Sequence, residues 1–530
     1  MKLVPTGMSH KRAMNPNPSR ALLIYLSALA ALGAVVLYAA TRSMGPGVST
    51  DSAIIMSTAE NLARGTGLID YLGRELTQFP PLYPAILAAG AILFGADVFV
   101  VGWILNIVVF ALLIMGTGVY LAEACSEEPL LAYLGSFVVL SSMSVLQIAG
   151  NVASDPLFML MVLGFLMAAS GYLQTGETKF AIMAGLLTAV SCFQRYAGLA
   201  LVITGGLIAL YAHRNNLAKA LMAAGAFMVI AAAPIYAWGY LHNKPYNGTV
   251  FGARLPPVAG LNLEAGAEKL LYWFIPHRLI SAVGELPLAA IILGACGLTI
   301  MLTGARRFLV RLQRPQIVPS LVFLIVYGAV LIFNISSYEL KRLGSDRVHI
   351  VILPALLVLM AITGEQLIEA AKRRVPPARL YAAVVLIFLI WAIYPIGKSA
   401  DYVRESIAHG DVSAHNSINK GYIRDSSLAG FLGELGMDGP QFYSNGGDTV
   451  WFILRTQVQA LPTLESSDRM LELQQRFQGW PGGQGDGYIV WINAEAHKTN
   501  YATPEELSRI AEVIALYQDA DGSVYSVSPR

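Results

Sequence analysis

Long apolar stretches separated by short polar segments run along the chain from residue 21 to residue 397. A helix needs about 20 apolar residues to cross the hydrocarbon core of a membrane. We predict a transmembrane helix at each of about 11 stretches that reach or approach this length. They are residues 21–41, 98–122, 129–148, 156–174, 180–194, 197–213, 217–240, 283–303, 318–336, 349–367 and 380–397.

The apolar stretch 81–95 is shorter, and the distribution of basic residues indicates that it does not cross. Cytoplasmic loops of membrane proteins carry an excess of Lys and Arg. If the N-terminus is cytoplasmic and residues 81–95 do not cross the membrane, the basic segments 213–219, 306–314 and 372–374 all face the cytoplasm. We therefore predict that 81–95 is an interfacial or re-entrant helix.

The same topology places the segments that follow the odd-numbered spans on the outer face of the membrane. Asp51, Asp155, Arg195 and Arg347 lie in these segments, and so does the tail after residue 397. The first apolar stretch follows basic residues and precedes no clear cleavage site, so we predict a retained span. We therefore expect a multi-pass membrane protein with its N-terminus in the cytoplasm.

Composition agrees with this architecture. The chain is 55% hydrophobic and only 13% charged, whereas soluble proteins carry about a quarter charged residues. The formal net charge of +2 gives no indication of nucleic-acid binding. Cys125, Cys192 and Cys296 are too far apart for a disulfide framework or a zinc motif. The sequence has no phosphate-binding loop and no GxGxxG motif, which argues against an ATP-driven pump.

The tail, residues 398–530, differs from the rest because short strand-like segments alternate with polar ones. One helix is predicted over residues 503–518, since Thr503 suits an N-cap and Pro504 the first helical position. We predict a soluble extracytoplasmic α/β domain at 398–530, after an all-α membrane module at 1–397. The strand-like segments are 441–445, 488–493 and 523–528.

The first candidate for chemistry is Asp51, within "MGPGVSTDSAIIMSTAENLARGTG" at residues 44–67. Residues 52–64 place apolar side chains on one helical face and polar ones elsewhere, which predicts an interfacial amphipathic helix. Asp51 then precedes this helix, where its whole role could be that of an N-cap. A carboxylate in the same position is also suited to act as a general base.

Two more candidates face the same side as Asp51. Asp155 in "NVASDPLF" precedes Pro156, a combination typical of an ordinary helix start. Arg195, followed by Tyr196, lies at the outer tip of a tight helical hairpin in "SCFQRYAGL", against the usual cytoplasmic preference of Arg. Because Arg forms bidentate contacts with phosphate, we expect Arg195 to bind an anion.

Segment 336–354, "SSYELKRLGSDRVHIVILP", carries several basic residues just before a span on the predicted outer side. One interpretation is a solvated loop with a local Asp346–Arg347 pair. The other is a phosphate site that includes Lys341 and Arg347. Further candidates for substrate binding are Tyr196 beside Arg195, Tyr83 in "TQFPPLYPAIL", and His277 and Arg278 in "WFIPHRLI".

The order of these motifs resembles that of the GT-C glycosyltransferases. An acid in the first outer loop is followed by "PPLYP", a second acid in "SDPLF", an "RY" hairpin and a "DR…P" span start. The order is most similar to the group that includes protein mannosyltransferases and the lipid A aminoarabinose transferase. The resemblance covers roughly residues 20–397, and residues 443–462 resemble the outer domain that some bacterial members carry.

The resemblance implies transfer of a hexosyl or pentosyl group from a polyprenyl-phosphate donor at the outer face, with inversion. Asp51 matches the first-loop acid of the family and Asp155 the second, so both are expected to be catalytic, with Asp51 as general base. Arg195 and Arg347 match positions where basic residues lie near the lipid phosphate. One departure is Phe79, which stands where some members carry a basic residue before the two prolines.

Other functions stay open at this point. A lipid or polysaccharide transporter would need charges within the spans, and few are present. A polysaccharide ligase or polymerase also combines many spans with outer loops, and a non-catalytic partner would tolerate loss of Asp51. The acceptor is left open between protein, lipid and glycan. We predict no cofactor, since Asp51 and Asp155 without a third ligand make a weak metal site.

The topology generates a direct test. A reporter enzyme fused after residue 400 should report an outer location, because an odd number of spans separates that point from a cytoplasmic N-terminus. Paired reporters that are active only inside or only outside would measure it. A cytoplasmic signal would contradict the topology and the shared sidedness of the candidate residues.

Overall fold

The computed structural model has a large helical bundle followed by a smaller region that contains a β-sheet. The described residues are 19–251, 263–337, 346–410, 418, 421–435, 441–481, 486–495 and 500–530. We call residues 421–530 the C-terminal region.

The bundle consists of nineteen α-helices in the parts of the chain that the structure describes. They are Arg20–Thr41 (α1), Thr50–Ala63 (α2), Leu82–Phe94 (α3), Val98–Ala124 (α4), Leu130–Ser141 (α5), Met143–Ala149 (α6), Asp155–Thr175 (α7), Thr178–Gln194 (α8), Leu199–Ala212 (α9), Leu217–Trp238 (α10), Lys244–Asn247 (α11), Leu263–Tyr272 (α12), His277–Val283 (α13), Glu285–Thr303 (α14), Ala305–Leu312 (α15), Val318–Ser337 (α16), Asp346–His349 (α17), Leu353–Lys372 (α18) and Pro377–His409 (α19).

The C-terminal region mixes five short helices with five strands. These elements are Gly421–Arg424 (α20), Ser427–Glu434 (α21), Gln441–Ser444 (β1), Gly447–Leu454 (α22), Val458–Ala460 (β2), Arg469–Arg476 (α23), Gly487–Ile492 (β3), Pro504–Leu507 (α24), Ala511–Gln518 (β4) and Gly522–Pro529 (β5).

The helical bundle is that of a multi-pass membrane protein. Within the described ranges, seven helices are long and apolar enough to cross a membrane, or eight if the bent pair α5 and α6 forms one span. Four further apolar helices are shorter, and α3 is one of them. Eleven spans result if the other three cross and α3 does not, so the predicted count of 11 stays a prediction.

Small residues allow the first two long helices to pack closely. A Cβ atom on Gly33 of α1 would lie 2.4 Å from a methyl carbon of Ile114 in α4. In the reverse direction, a Cβ atom on Gly118 of α4 would lie 2.2 Å from a methyl carbon of Leu26 in α1. Each helix therefore inserts a large side chain where its partner has none, which is a common way for membrane helices to associate.

A cluster of ion pairs lies at one end of α18. Glu365 is fully buried and accepts from Arg314 at 2.8 Å, while Arg311 lies 3.7 Å away. Arg347, which precedes α18, is 18 residues earlier in the chain, or about 27 Å along a helix. This distance is close to the roughly 30 Å of a hydrocarbon core, so Glu365 and Arg347 fit opposite membrane surfaces.

The C-terminal sheet has the strand order β2-β1-β3-β5-β4. Strand β1 is parallel to β2 and β3, whereas β5 is antiparallel to β3 and β4. All three strand-like segments predicted from the sequence are strands, namely β1, β3 and β5. The mixed sheet with its helices confirms the predicted α/β class.

The predicted helix over residues 503–518 is wrong beyond its first turn. Thr503 is the N-cap, in a reciprocal capping box with Glu506, but α24 ends at Leu507. Residues 511–518 then form β4, which pairs with β5 along its length. The β-branched Val513 and Ile514 suit a strand, and the ladder satisfies their backbone groups better than a short exposed helix would.

The predicted division at residue 397 falls inside one continuous helix, because α19 extends from Pro377 to His409. The last predicted span and the start of the tail therefore belong to the same helix. The division into residues 1–397 and 398–530 stays a prediction.

Candidate active site

Two loops that are distant in sequence pair with each other and bring α2 and α7 together at their N-terminal ends. The amide of Gly47 donates to the carbonyl of Gly150 at 2.8 Å, and the amide of Val152 donates to the carbonyl of Gly47 at 2.9 Å. This short parallel bridge lies just before both helices. Asp51 and Asp155 are in the first turns of these helices, so the pairing sets their separation.

Neither acid is the N-cap that the sequence suggested as an alternative. The N-cap of α2 is Ser49, which forms a capping box with Ser52 and leaves Asp51 inside the first turn. In α7 the N-cap position is Ser154, and Asp155 is the first helical residue. Both carboxylates still benefit from the positive end of a helix dipole, but their side chains are directed to other partners.

Arg347 bridges the two carboxylates. Its Nη1 donates to Oδ2 of Asp51 at 2.8 Å. Its Nη2 and Nε both donate to Oδ2 of Asp155, at 3.0 and 3.3 Å. The alternative local pair between Asp346 and Arg347 is wrong, because Asp346 instead accepts from Ser144 at 2.8 Å and from the indole of Trp273 at 3.3 Å.

Arg195 completes the arrangement from the other side of Asp155. Its Nη1 lies 2.7 Å from Oδ1 of Asp155 and donates to the hydroxyl of Ser154 at 3.1 Å. We call Asp51, Asp155, Arg195 and Arg347 the ionic cluster. It joins four segments that are far apart in the sequence, and its formal charges sum to zero.

The four side chains of the ionic cluster differ in solvent exposure, and this determines which of them a ligand can reach. The side chain of Asp155 is 0% exposed, so it cannot be charged without its two guanidinium partners. Asp51 is 25% exposed, Arg347 33% and Arg195 24%. A ligand can therefore reach the carboxylate of Asp51 and the two guanidinium groups, while the buried Asp155 pairs with both guanidinium groups on the side away from solvent.

Tyr83 and Tyr196 support loops beside the ionic cluster. The buried hydroxyl of Tyr83 donates to Asn106 at 3.3 Å, and Asn106 donates to the carbonyls of Ala149 and Asn151. Burial, with a smaller contribution from the nearby negative charge of Asp155, raises the pKa of Tyr83 well above its usual value. This phenol therefore stays protonated at neutral pH and cannot act as a base.

Tyr196 depends on a residue that the sequence analysis did not single out. Its hydroxyl donates to the carbonyl of Thr77 at 3.3 Å and accepts from the amide of Asn243 at 2.8 Å. Asn243 is fully buried at the end of a π-helical turn, Gly239–Asn243. Such turns are frequent at functional sites, but a single Asn between His242 and Lys244 gives no recognisable sequence signal.

The remaining candidates lie apart from the ionic cluster or outside the described residues. His277 is 3.5 Å from Glu268, and Arg278 is exposed. No hydrogen bond or ion pair in the described ranges connects either residue with the ionic cluster. Lys341 lies outside the described residues. Substrate contacts by these three residues stay predictions, as they do for Tyr83 and Tyr196.

The chemistry of the ionic cluster is that of an anion site beside a proton acceptor. Within the residues described, no group of three or more His, Cys, Asp or Glu side chains could hold a metal. Arg347 has five N–H donors, and the two carboxylates engage three of its nitrogens with one contact each. Donors on both arginines therefore remain for the oxygens of a phosphate.

Solved structures share this architecture. The crystal structure of ArnT from Cupriavidus metallidurans in the apo state matches with a TM-score of 0.61 and 13% identity, over 96% of this chain and 98% of ArnT. ArnT bound to undecaprenyl phosphate matches with a TM-score of 0.54 and 14% identity, over 94% and 97%. Arabinofuranosyltransferase AftD from Mycobacteria matches with a TM-score of 0.50 and 15% identity, over 97% of this chain and 40% of AftD.

ArnT and AftD are GT-C glycosyltransferases. This chain has the GT-C fold. The resemblance drawn from the order of the sequence motifs is confirmed at the level of the fold. No family model and no curated protein matches the chain by sequence, so the likeness rests on three-dimensional structure.

The ionic cluster generates a prediction about stability. Asp155→Asn should lower the free energy of unfolding by about 3 kcal/mol, because two guanidinium groups lose their buried counter-ion. Asp51→Asn should cost only about 1 kcal/mol, because its pair is partly exposed to solvent. Thermal unfolding of both variants in the same detergent measures the difference, and an equal loss in both would contradict the anchoring role of Asp155.

Proposed function

We propose that the chain is a glycosyltransferase that moves a sugar from a polyprenyl-phosphate donor to an acceptor at the outer membrane surface. The observation that carries the proposal is the bridge from Asp51 through Arg347 to Asp155, with Arg195 beyond it. It joins two cations suited to a phosphate with a carboxylate suited to a proton. The likeness to ArnT, which has been solved with undecaprenyl phosphate, supports this class of donor.

The two arginines are proposed to stabilise the leaving group. A polyprenyl-phosphate sugar is a phosphodiester with one negative charge, and its cleavage releases a phosphate monoester with two. Cations fixed beside the phosphate therefore bind the transition state more tightly than the ground state. Because Asp155 holds Arg195 and Arg347 in place before the substrate arrives, little reorganisation is needed during the reaction.

Asp51 is proposed to take the proton of the acceptor hydroxyl. Its contact with Arg347 engages Oδ2, and its side chain is partly exposed. The acceptor oxygen attacks the anomeric carbon on the face opposite the phosphate. The bond from that carbon to the phosphate oxygen breaks, and the hydroxyl proton moves to Asp51. A single displacement of this kind inverts the anomeric configuration.

Asp155 is proposed to orient the arginines, not to accept a proton. Both of its oxygens contact guanidinium groups, and no part of its side chain is exposed. This role modifies the expectation that both acids act directly on the substrate. It leaves Asp51 as the single accessible carboxylate of the ionic cluster.

The distribution of ion pairs favours surface chemistry over transport. In the described bundle, the ion pairs that involve a buried carboxylate lie in two groups, one around Asp155 and one around Glu365. A transporter would be expected to place charges near the midplane. The proposal places the protein in a bacterial inner or plasma membrane, with the N-terminus in the cytoplasm and the ionic cluster outside.

Binding of the lipid phosphate tests the arginines. Arg347→Ala should weaken binding of undecaprenyl phosphate by about 10- to 100-fold, since a charge-assisted hydrogen bond contributes about 1.5–3 kcal/mol. Arg347→Lys should retain part of the affinity because it keeps the charge. Arg379→Ala, at an exposed position near the start of α19, is the matched control and should bind like wild type. Equal affinity in all four proteins would remove Arg347 from the phosphate site.

Turnover tests the base. Purified wild type and Asp51→Asn are compared with a panel of radiolabelled polyprenyl-phosphate sugars and candidate acceptors. Asp51→Asn should reduce transfer at least about 100-fold, because a general base contributes that much or more. Asp401→Asn, which removes an exposed carboxylate paired with Arg404, should not change it. Wild-type turnover by Asp51→Asn would show that the base lies elsewhere.

A further inference from the structure

Helix α2 lies between the ionic cluster and the C-terminal region. Thr50, the residue before Asp51, donates its hydroxyl to Oδ2 of Asp448 at 2.6 Å. Asp448 is in α22 and is only 6% exposed. Its other oxygen accepts from the amide of Thr449 at 3.0 Å, so the carboxylate is fixed on its own helix. The start of α2 is thereby attached to the C-terminal region one residue away from the proposed base.

A second contact holds the opposite end of α2. Arg455 donates to Glu60 at 2.8 Å, and its guanidinium stands 5.0 Å from the ring centres of Trp451 and Phe452. Arg455 has φ +54°, the one left-handed backbone conformation among the non-glycine residues described. This conformation is unfavourable for a residue with a side chain, and it persists where the surrounding structure requires it. Here it ends α22 and directs the guanidinium to Glu60.

The loop that follows α2 joins the edge of the C-terminal sheet. The amide of Val458, in the edge strand β2, donates to the carbonyl of Tyr71 at 2.9 Å. The ring of Tyr71 stacks on Trp451 with their centres 6.1 Å apart. The first loop and the C-terminal region are thus connected through side chains, rings and backbone.

The residues of α2 that contact the C-terminal region and the residue that contacts Arg347 lie on different faces of the helix. Thr50 and Glu60 are ten residues apart, which corresponds to about 15 Å along the helix and about 80° around it. Asp51 is about 180° from Glu60 around the same axis. One side of α2 is therefore attached at both ends to the C-terminal region, and the other side presents Asp51 to Arg347.

We propose that Asp448 and Arg455 are positioning residues, through which the C-terminal region holds α2 so that Asp51 meets Arg347. The catalytic meaning of this inference rests on the proposed function. The mechanical part does not, because it concerns only the position and rigidity of α2. In this account the C-terminal region acts on the chemistry itself, in addition to any part it takes in binding an acceptor.

Amide hydrogen exchange on the full-length protein tests the mechanical part. Thr50→Val keeps the shape of the side chain but removes the hydroxyl, and Arg455→Gln removes the charge. Each should accelerate exchange across residues 50–63 at least about tenfold, and Thr50→Ser should restore the wild-type rate. The matched control is Arg469→Gln, which breaks the 2.8 Å Arg469–Glu506 pair within the C-terminal region and should leave α2 unchanged.

The outcomes separate the two proposals. An unchanged rate of amide exchange across α2 in Thr50→Val would overturn the inference. The result for Thr50→Val is sufficient by itself, even if Arg455→Gln unfolds the C-terminal region. In the transfer assay, Thr50→Val should lower kcat about tenfold with an unchanged KM for the donor, and Thr50→Ser should recover it. A rise in KM at unchanged kcat would overturn the positioning role. If Asp51→Asn keeps full turnover, Asp51 is not the base and the catalytic meaning of the inference fails, while the exchange data still decide whether the C-terminal region holds α2.

Discussion

The structure around the proposed site depends on one buried carboxylate. Asp155 has no exposed surface, so its charge must be balanced by cations within the protein. Arg195 approaches one of its oxygens and Arg347 the other, and Arg347 then reaches Asp51. Satisfying a single buried charge therefore brings together four segments that are far apart in the chain. It also leaves two cations and one carboxylate accessible, which is the combination used in the proposed transfer from a lipid phosphate.

Much of this site could be predicted from the sequence because sidedness limits which residues can meet. The basic segments of the loops predict an orientation, and that predicted orientation has Asp51, Asp155, Arg195 and Arg347 on one side. Hydrophobic length predicted the membrane bundle, and the order of motifs indicated its GT-C fold. Hydrophobic length, loop charge and motif order are properties of single segments or of their sequence order. They can therefore be recognised without knowing any contact between distant residues.

The pairing of partners could not be predicted in the same way. A local Asp346–Arg347 pair was as consistent with the sequence as the observed bridge, because the sequence does not show which carboxylate lies near Arg347 in space. The proposed roles of Asp448 and Arg455 depend on how the C-terminal region packs on the first loop, which no sequence periodicity encodes. The helix predicted over residues 503–518 failed for a similar reason: a good start signal was present, but pairing with β5 determined the conformation of the residues that follow.

The ionic cluster is proposed to bind the phosphate of the lipid donor. A cryo-EM structure of the protein in nanodiscs with undecaprenyl phosphate tests it most directly. Phosphate density is expected within hydrogen-bonding distance, about 3 Å, of Arg347 or Arg195, with Asp155 still in contact with both guanidinium groups. Phosphate density away from both arginines, for example beside Arg311 and Arg314 at the other end of the bundle, would contradict it.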